Sequence, residues 1–271
     1  MRNIYTKSLL TVAVLLLAFG VAAQESLKES LVVPLSDPGA PGKLHVALLY
    51  GSIRVAAHQG KDVVIASNQR VKKKEKEQYK DGLRKISNNS SQYSVEEYNN
   101  KVIVKSGIGN KSVDFEIKVP KDFALELRTV NNGNIYVEGV NGEMEISNTN
   151  GAITLKNVAG SVIADALNKD IVVDFTSITP STPMAFTSLN GNLDVTFPTS
   201  LKATIKARTE NGDIFTDFDI EQSLKSETIN NRSKSGVYKV TVDKWVGGTI
   251  NGGGPEMLFK TLNGDILIRS R

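Results

Sequence analysis

Few side chains in this sequence could do chemistry, and their spacing narrows what that chemistry could be. Cysteine is absent and only two histidines occur, which excludes disulfides, thiolate metal sites and Cys nucleophiles, and nearly excludes Ser-His catalysis. His45 and His58 flank an expected early turn. Such a pair would hold a metal or relay protons only with a third ligand, and none stands at a recognisable spacing. Asp213, Asp217 and Asp219 have the composition of a glycosidase carboxylate set, but strand alternation would line them along one solvated face. Asn134, Asp170, Asn192, Asp213 and Asp265 each follow a turn, where a file of carboxyl and amide groups would suit Ca²⁺. The glycine-aspartate nonapeptide of calcium β-rolls is missing, however, and turn formers belong at such positions anyway. Gly247-Gly248 and Gly252-Gly253-Gly254 lack the Lys-Ser/Thr and the helix of a phosphate loop, so they read as turns. The expectation is a protein with no catalytic residue, no cofactor and no metal site.

Two features would bind rather than react. Trp245 with Tyr238 would pack a terminal coil or offer a sugar-stacking platform. The basic run Arg70, Lys72, Lys73, Lys74, Lys76, Lys80, Arg84 and Lys85 is diluted by Glu75, Glu77 and Asp81. It reads first as a solvated face and second as a contact for an acidic polysaccharide or anionic lipid, weakening with salt. Arg2 and Lys7 precede the apolar stretch Leu9 to Phe19, and Gly20-Val21-Ala22-Ala23 follows. That is the layout of a secretory signal over residues 1–23, cleaved before Gln24; the apolar run is short of the roughly 20 residues a membrane span needs. Export to the periplasm, the outer-membrane surface or the extracellular space follows, with no transmembrane segment in the mature chain. The formal net charge of +4 falls with Arg2 and Lys7, and nothing points to nucleic acid.

A repeat must position all of this. Asn132-Gly133, Asn141-Gly142 and Asn150-Gly151 lie nine residues apart, and every second step gives a register of 18 through Asn132, Asn150 and Asn168. Apolar residues keep that shift: Ile135, Ile153 and Ile171; Val137, Leu155 and Val173; Val140 and Val158; Met144 and Val162; Ile146 and Ala164. Further copies stand at Asn190-Gly191, Asn211-Gly212 and Asn263-Gly264, while Lys169 replaces the glycine after Asn168. Within each unit the alternation has period two, the mark of a strand with one buried face. Ordering a coil costs about 1–2 kcal/mol per residue in backbone entropy alone, so a coil this short folds only against a neighbour. The expected fold is therefore all-β, a β-solenoid or single-stranded β-helix-like stack with Asn-Gly corners, Gly supplying positive φ and Asn tolerating it. The alternative is an antiparallel β-meander or sandwich with Asn-Gly as type I′ turns. Stacking like on like, Ile on Ile and Asn on Asn, favours the solenoid.

Around the repeat, Leu44–Leu48, Gly51–Val55 and Val63–Ile65 read as opening strands, and Val102–Val104, Val113–Val119 and Phe123–Leu127 as further ones. Residues 24–40 are expected to be a flexible segment, and 41–271 the repeat domain. Residues 70–100 would be a charge-rich insertion with a short helix at 72–80. The closing copy, Leu262 to Ile268, would be a cap or edge strand blunted by Arg269 and Arg271, an edge otherwise open to self-association.

These residues carry a resemblance. Val119-Pro120, the run Thr129-Val130-Asn131-Asn132-Gly133-Asn134-Ile135, the copy from Asn150 to Gly160, Pro183 to Gly191, and Thr261 to Ile268 together resemble the bacterial putative-adhesin family of strand-repeat domains, a family of unknown function. The resemblance spans roughly residues 40–271 and is closest over 113–220. It implies an exported β-solenoid-like domain in an envelope or surface setting, and it brings no catalytic residues. The functional expectation is a non-catalytic adhesin or binding scaffold for a glycan, matrix or protein partner. An envelope-stress or regulatory accessory protein contacting a membrane partner is the first alternative, and a polysaccharide-processing enzyme on a β-helix the lesser one.

Overall fold

The computed structural model describes residues 29–69, 79–80, 83–84, 93–106, 112–222, 227–234 and 237–271. The expected signal segment and Lys72, Lys73, Lys74 and Lys76 lie outside them. The chain opens with β1 (Glu29–Pro34), β2 (Gly42–Tyr50), β3 (Ile53–His58) and β4 (Asp62–Gln69). Short β5 (Tyr79–Lys80) and β6 (Leu83–Arg84) precede β7 (Tyr93–Tyr98), β8 (Lys101–Ser106), β9 (Val113–Pro120) and β10 (Phe123–Asn131). The regular part comprises β11 (Ile135–Glu138), β12 (Asn141–Asn148), β13 (Ile153–Ala166), β14 (Ile171–Ile178), β15 (Met184–Ser188) and β16 (Leu193–Phe197). After β17 (Ala203–Arg208), β18 (Ile214–Thr216) and β19 (Ile220–Gln222) comes a hairpin of β20 (Glu227–Lys234) and β21 (Val237–Lys244). Finally β22 (Val246–Ile250), β23 (Glu256–Lys260) and β24 (Ile266–Ser270) complete the chain. Among the described residues no helix is long and apolar enough to cross a membrane.

The apolar files stack as the repeat requires. Ile135 pairs with Ile153 and Ile153 with Ile171, while Met144 lies on Val162 and Ile146 on Ala164, all in parallel register. Parallel pairing of successive units is the solenoid and excludes the meander, whose consecutive strands would run antiparallel. Each coil contributes to two walls, the coil of β13 with one long strand whose first part pairs with β11 and second part with β12. The inward side chains of both walls, Ile135, Val137, Met144, Ile153, Leu155 and Ile171 among them, are 0–2 % exposed. Between residues 131 and 171 the core is aliphatic, and the coils widen after that. There Phe175 stacks on Phe197 at 5.1 Å, and Phe186 on Phe259 at 5.2 Å.

The stack does not follow chain order at its ends. In one wall the neighbours run β8, β2, β10, and in the other β9, β3, β11, so the first coil lies inside the stack. The last coil does the same: β23 lies between β15 and β17, and β24 between β16 and β18. The closing copy is therefore an interior rung and not a cap or edge strand. Its two arginines act on neighbours instead of blunting an edge. Arg269 Nε donates to Asp194 Oδ1 at 2.7 Å, and Arg271 Nη1 to Asp174 Oδ1 at 2.6 Å.

The N-terminal end of the stack is covered by antiparallel strands: β7 on β8, β4 on β9, and β1 on β4. Residues 29–34, within the segment expected to be flexible, are thus a strand, and Val33 and Leu35 are buried. The β-branched run Val32-Val33 gives that segment an inward side chain to bury. Tyr93–Tyr98 likewise belongs to the sheet, so the insertion ends before it. Of the helix expected at 72–80, residues 79–80 are strand, and the rest lies outside the described residues.

Glu97 ties the chain's start to this end. Its Oε1 accepts from the Ser36 peptide N–H at 2.9 Å and the Asn100 peptide N–H at 3.0 Å, and the Ser36 hydroxyl donates to it as well. These bonds, led by that from the Ser36 N–H, hold the Glu97 carboxyl below the ordinary glutamate range. A lowered folded-state value means the tether is intact above the unfolded pKa, about 4.3, and is lost as the pH falls through the folded value. Amide protection of residues 33–40, corrected for intrinsic exchange, is therefore expected to fall on acidification below that range. In Glu97→Gln it should already be low at neutral pH.

Corner glycines are dictated by contact. A Cβ on Gly133 would lie 1.9 Å from the Gly51 carbonyl oxygen, and one on Gly151 1.8 Å from that of Gly133. Positive φ was the expected reason for these glycines, but at these two corners the stacked carbonyl of the next rung is the constraint. A threonine three or four residues before the glycine turns inward and donates to the carbonyl that glycine faces: Thr129, before Gly133, to Gly51 O at 2.8 Å and Thr261, before Gly264, to Gly191 O at 3.0 Å. Both hydroxyls are buried and satisfied.

Candidate functional site

Several of the residues with chemical potential carry structural tasks. His45 Nδ1 stands 3.1 Å from Glu126 Oε1, in ion-pair range but outside hydrogen-bond geometry, and Lys43 Nζ lies 2.8 Å from Glu126 Oε2. Lys43 first, and His45 with it, hold the Glu126 carboxyl below its ordinary range. His58 accepts the Gly60 N–H at Nδ1, which assigns the proton to Nε2, 2.8 Å from the Asp62 carbonyl. Each histidine thus serves its own surroundings. Among the described residues no group of His, Asp and Glu could hold a metal.

The polar file after the corner glycines caps backbone. Asn134 Oδ1 accepts the Ala152 N–H at 3.0 Å, Asp170 Oδ1 that of Asn192 at 2.8 Å, Asn192 Oδ1 that of Asp265 at 2.8 Å, and Asp265 Oδ1 that of Asp213 at 2.9 Å. Each side chain therefore satisfies the next rung, in the spatial order 192, 265, 213. This is the arrangement of a stack support and not of a Ca²⁺ file. The expected one-face carboxylate set is also absent. β18 ends at Thr216, so Asp217 and Asp219 fall in the bend before β19, and Asp217 Oδ1 accepts the Ser270 N–H at 2.7 Å.

Next to this file runs a ladder of asparagine amides. Asn150 donates to Asn131, Asn168 to Asn150, Asn190 to Asn168, Asn263 to Asn190, and Asn211 to Asn263, at 2.7–3.0 Å. Asn131 takes the place expected for Asn132, which adopts φ 59° at the corner. On three adjoining rungs the residue before the ladder Asn faces outward, and Leu167, Leu189 and Leu262 form an exposed aliphatic stripe. The repeated Leu-Asn pair carried that signal in the sequence, and reading only Asn-Gly missed it.

Trp245 is half-buried beside the last wall strands. Lys206 Nζ lies 4.8 Å and Arg208 Cζ 5.7 Å from its ring centre, so its face is taken by cations. Arg208 also pairs with Glu210. Tyr238 belongs to β21, and its side chain lies outside the described residues, as do the lysines of the basic run. The structure therefore joins Trp245 to Lys206 and Arg208, partners that antiparallel pairing of Ala207 with Val246 creates.

Beyond Trp245 the core is open. A cleft of about 450 Å³ is lined by Ile205, Ile214, Ile220, Val246 and Ile268, with Gly248 in its wall. Gly247 and Gly248 are not turn residues: they lie in β22, opposite Lys206 and Ile205. Only Gly252-Gly253-Gly254 forms the turn, with φ of 81° and 85° at the first two. Gly248 leaves the cleft without a side chain where the strand alternation would place one.

No curated protein matches this chain. A crystal structure of a putative cell adhesion protein from Clostridium sporogenes is similar over 90% of this chain and 100% of its own, at 12% identity and a TM-score of 0.40. The model of the Toastrack DUF4097 family, whose domain is β-solenoid-like, matches residues 78–251, more than half of the sequence, and the chain belongs to that family.

Proposed function

We propose that this protein is a non-catalytic, exported binding scaffold of the cell envelope or surface, an adhesin-like module. The observation that carries the reading is the outward stripe of Leu167, Leu189 and Leu262 beside the asparagine ladder, a regular aliphatic and amide surface on a rigid stack. Strands at a spacing of about 4.8 Å present such groups at a fixed interval, which suits a polymeric or extended partner. Of the carboxylates that a hydrolase would use, Asp217 supports the same reading, since it accepts the Ser270 N–H. Purified protein should be retained by envelope fractions or glycan arrays. The Leu167→Asp, Leu189→Asp, Leu262→Asp triple variant should lose that retention with little change in melting. Cleavage of a polysaccharide by the protein, abolished by Asp213→Asn or Asp217→Asn, would overturn the reading. So would selective co-purification with one membrane protein without envelope or glycan binding, in favour of an accessory role.

A further inference from the structure

We propose that the open C-terminal end of the stack docks an extended aliphatic strand flanked by Lys or Arg from a protein partner, as one more rung on β18. The inference rests on the binding reading above and names a partner class for a separate surface. Three observations carry it. The inward file Leu193, Ile266, Ile214 stops at half-buried Ile214, and the cleft of about 450 Å³ lies where its next member would go. Among the described residues β18 pairs only with β24, which leaves the backbone groups of its other edge for an added strand. The rim is acidic on balance: Asp213, Asp217, Asp219 and Glu221 are all exposed around the cleft and the bend beside it, against the single lining cation Arg208, which pairs with Glu210 and lies over Trp245.

Charge selects the occupant. A second copy meeting the cleft through the same end would set acid against acid. The opposite end offers no better match, because its outermost strand β7, itself the antiparallel cover on β8, carries Glu96 and Glu97. An anionic lipid or acidic glycan is disfavoured for the same reason, whereas cations flanking an aliphatic strand complement the rim. The two ends differ in construction too. Antiparallel strands bury Val33 and Leu35 at one, while Gly248 withholds a side chain opposite Ile205 at the other.

Trp245 is the one tryptophan of the chain and directly precedes the cleft residue Val246, so its fluorescence reports occupancy. The full chain is titrated with the peptide acetyl-Lys-Val-Thr-Val-Lys-amide and with its Glu-flanked counterpart, in parallel with calorimetry. Saturable binding of the Lys-flanked peptide is expected, weakening as salt rises, with the Glu-flanked peptide binding at least about tenfold more weakly. Gly248→Val, within strand β22, should fill the cleft and cost about tenfold or more. Asp213→Asn with Asp219→Asn should weaken binding a few-fold at unchanged melting temperature, which separates loss of the site from loss of fold. Equal affinity for the two peptides, insensitivity to Gly248→Val, or no binding by either method would overturn the proposal. Envelope retention that survives Gly248→Val would leave the scaffold reading standing.

Discussion

Removing residues 256–271 is expected to abolish the folded state. The truncation takes away β23 and β24, and with them the buried side chains Met257, Phe259, Ile266 and Ile268. Losing a buried aliphatic or aromatic side chain costs about 2–5 kcal/mol, and several together match the roughly 5–15 kcal/mol that holds a whole domain folded. The damage extends past the lost atoms, because β15 and β17 in one wall, and β16 and β18 in the other, lose the rung that joins them. Phe186 loses the ring it stacks on, at 5.2 Å. The ion pairs of Arg269 and Arg271 are solvent-exposed and contribute little by comparison. Circular dichroism of the truncated chain should show no cooperative melt. A sequential solenoid shedding a terminal cap would melt within a few degrees of the full chain, and that result would contradict the intercalated topology.

Gly151→Ala should be the most damaging single methyl addition in the regular coils. Its Cβ would stand 1.8 Å from the Gly133 carbonyl oxygen and 2.7 Å from Asn148 Nδ2, and the first of these is backbone that a rotamer change cannot move. Asn148 also fixes this corner, accepting the Gly151 N–H at 2.9 Å and donating to Gly133 O at 3.1 Å. Relief requires spreading two rungs, and the expected cost is above about 3 kcal/mol, or a melting shift on the order of 10 °C. Gly39→Ala serves as the control. Its nearest neighbour would be Asp37 Oδ1 at 3.6 Å, an ordinary contact, and the change should stay within about 0.5 kcal/mol. Equal losses for the two variants would show that corner glycines answer to conformational freedom and not to the rung below.

The period of the fold was legible because it is written twice, in the Ile135, Ile153, Ile171 file and in the asparagines, and parallel stacking is what makes identical residues meet. The order of the end coils was not. Ile266 presents the same aliphatic face to Leu193 and to Ile214, so nothing in the side chain says whether its coil closes the stack or enters it. Corner chemistry was half visible. Asn-Gly announced a turn, but the hydroxyls of Thr129 and Thr261 do their work from three or four residues upstream and on another rung. The cleft escaped because it consists of a missing side chain: Gly247-Gly248 looks the same in a turn as in a strand. Trp245 was singled out for its ring, while the cations on that ring, Lys206 and Arg208, come from a strand whose antiparallel partner the sequence does not name.

The absence of native cysteine permits a direct test by paired cysteine substitution. Leu258 pairs with Ala185 on one side and with Lys206 on the other. Adjacent rungs bring Cα atoms to about 4.8 Å, within disulfide reach, whereas alternate rungs are about twice as far apart and cannot be bridged. Under mild oxidation Ala185→Cys with Leu258→Cys, and Lys206→Cys with Leu258→Cys, should each cross-link fully, and Ala185→Cys with Lys206→Cys should not. Ready cross-linking of 185 to 206, with 258 unreactive toward 185, would place the last coil outside the stack and contradict the account.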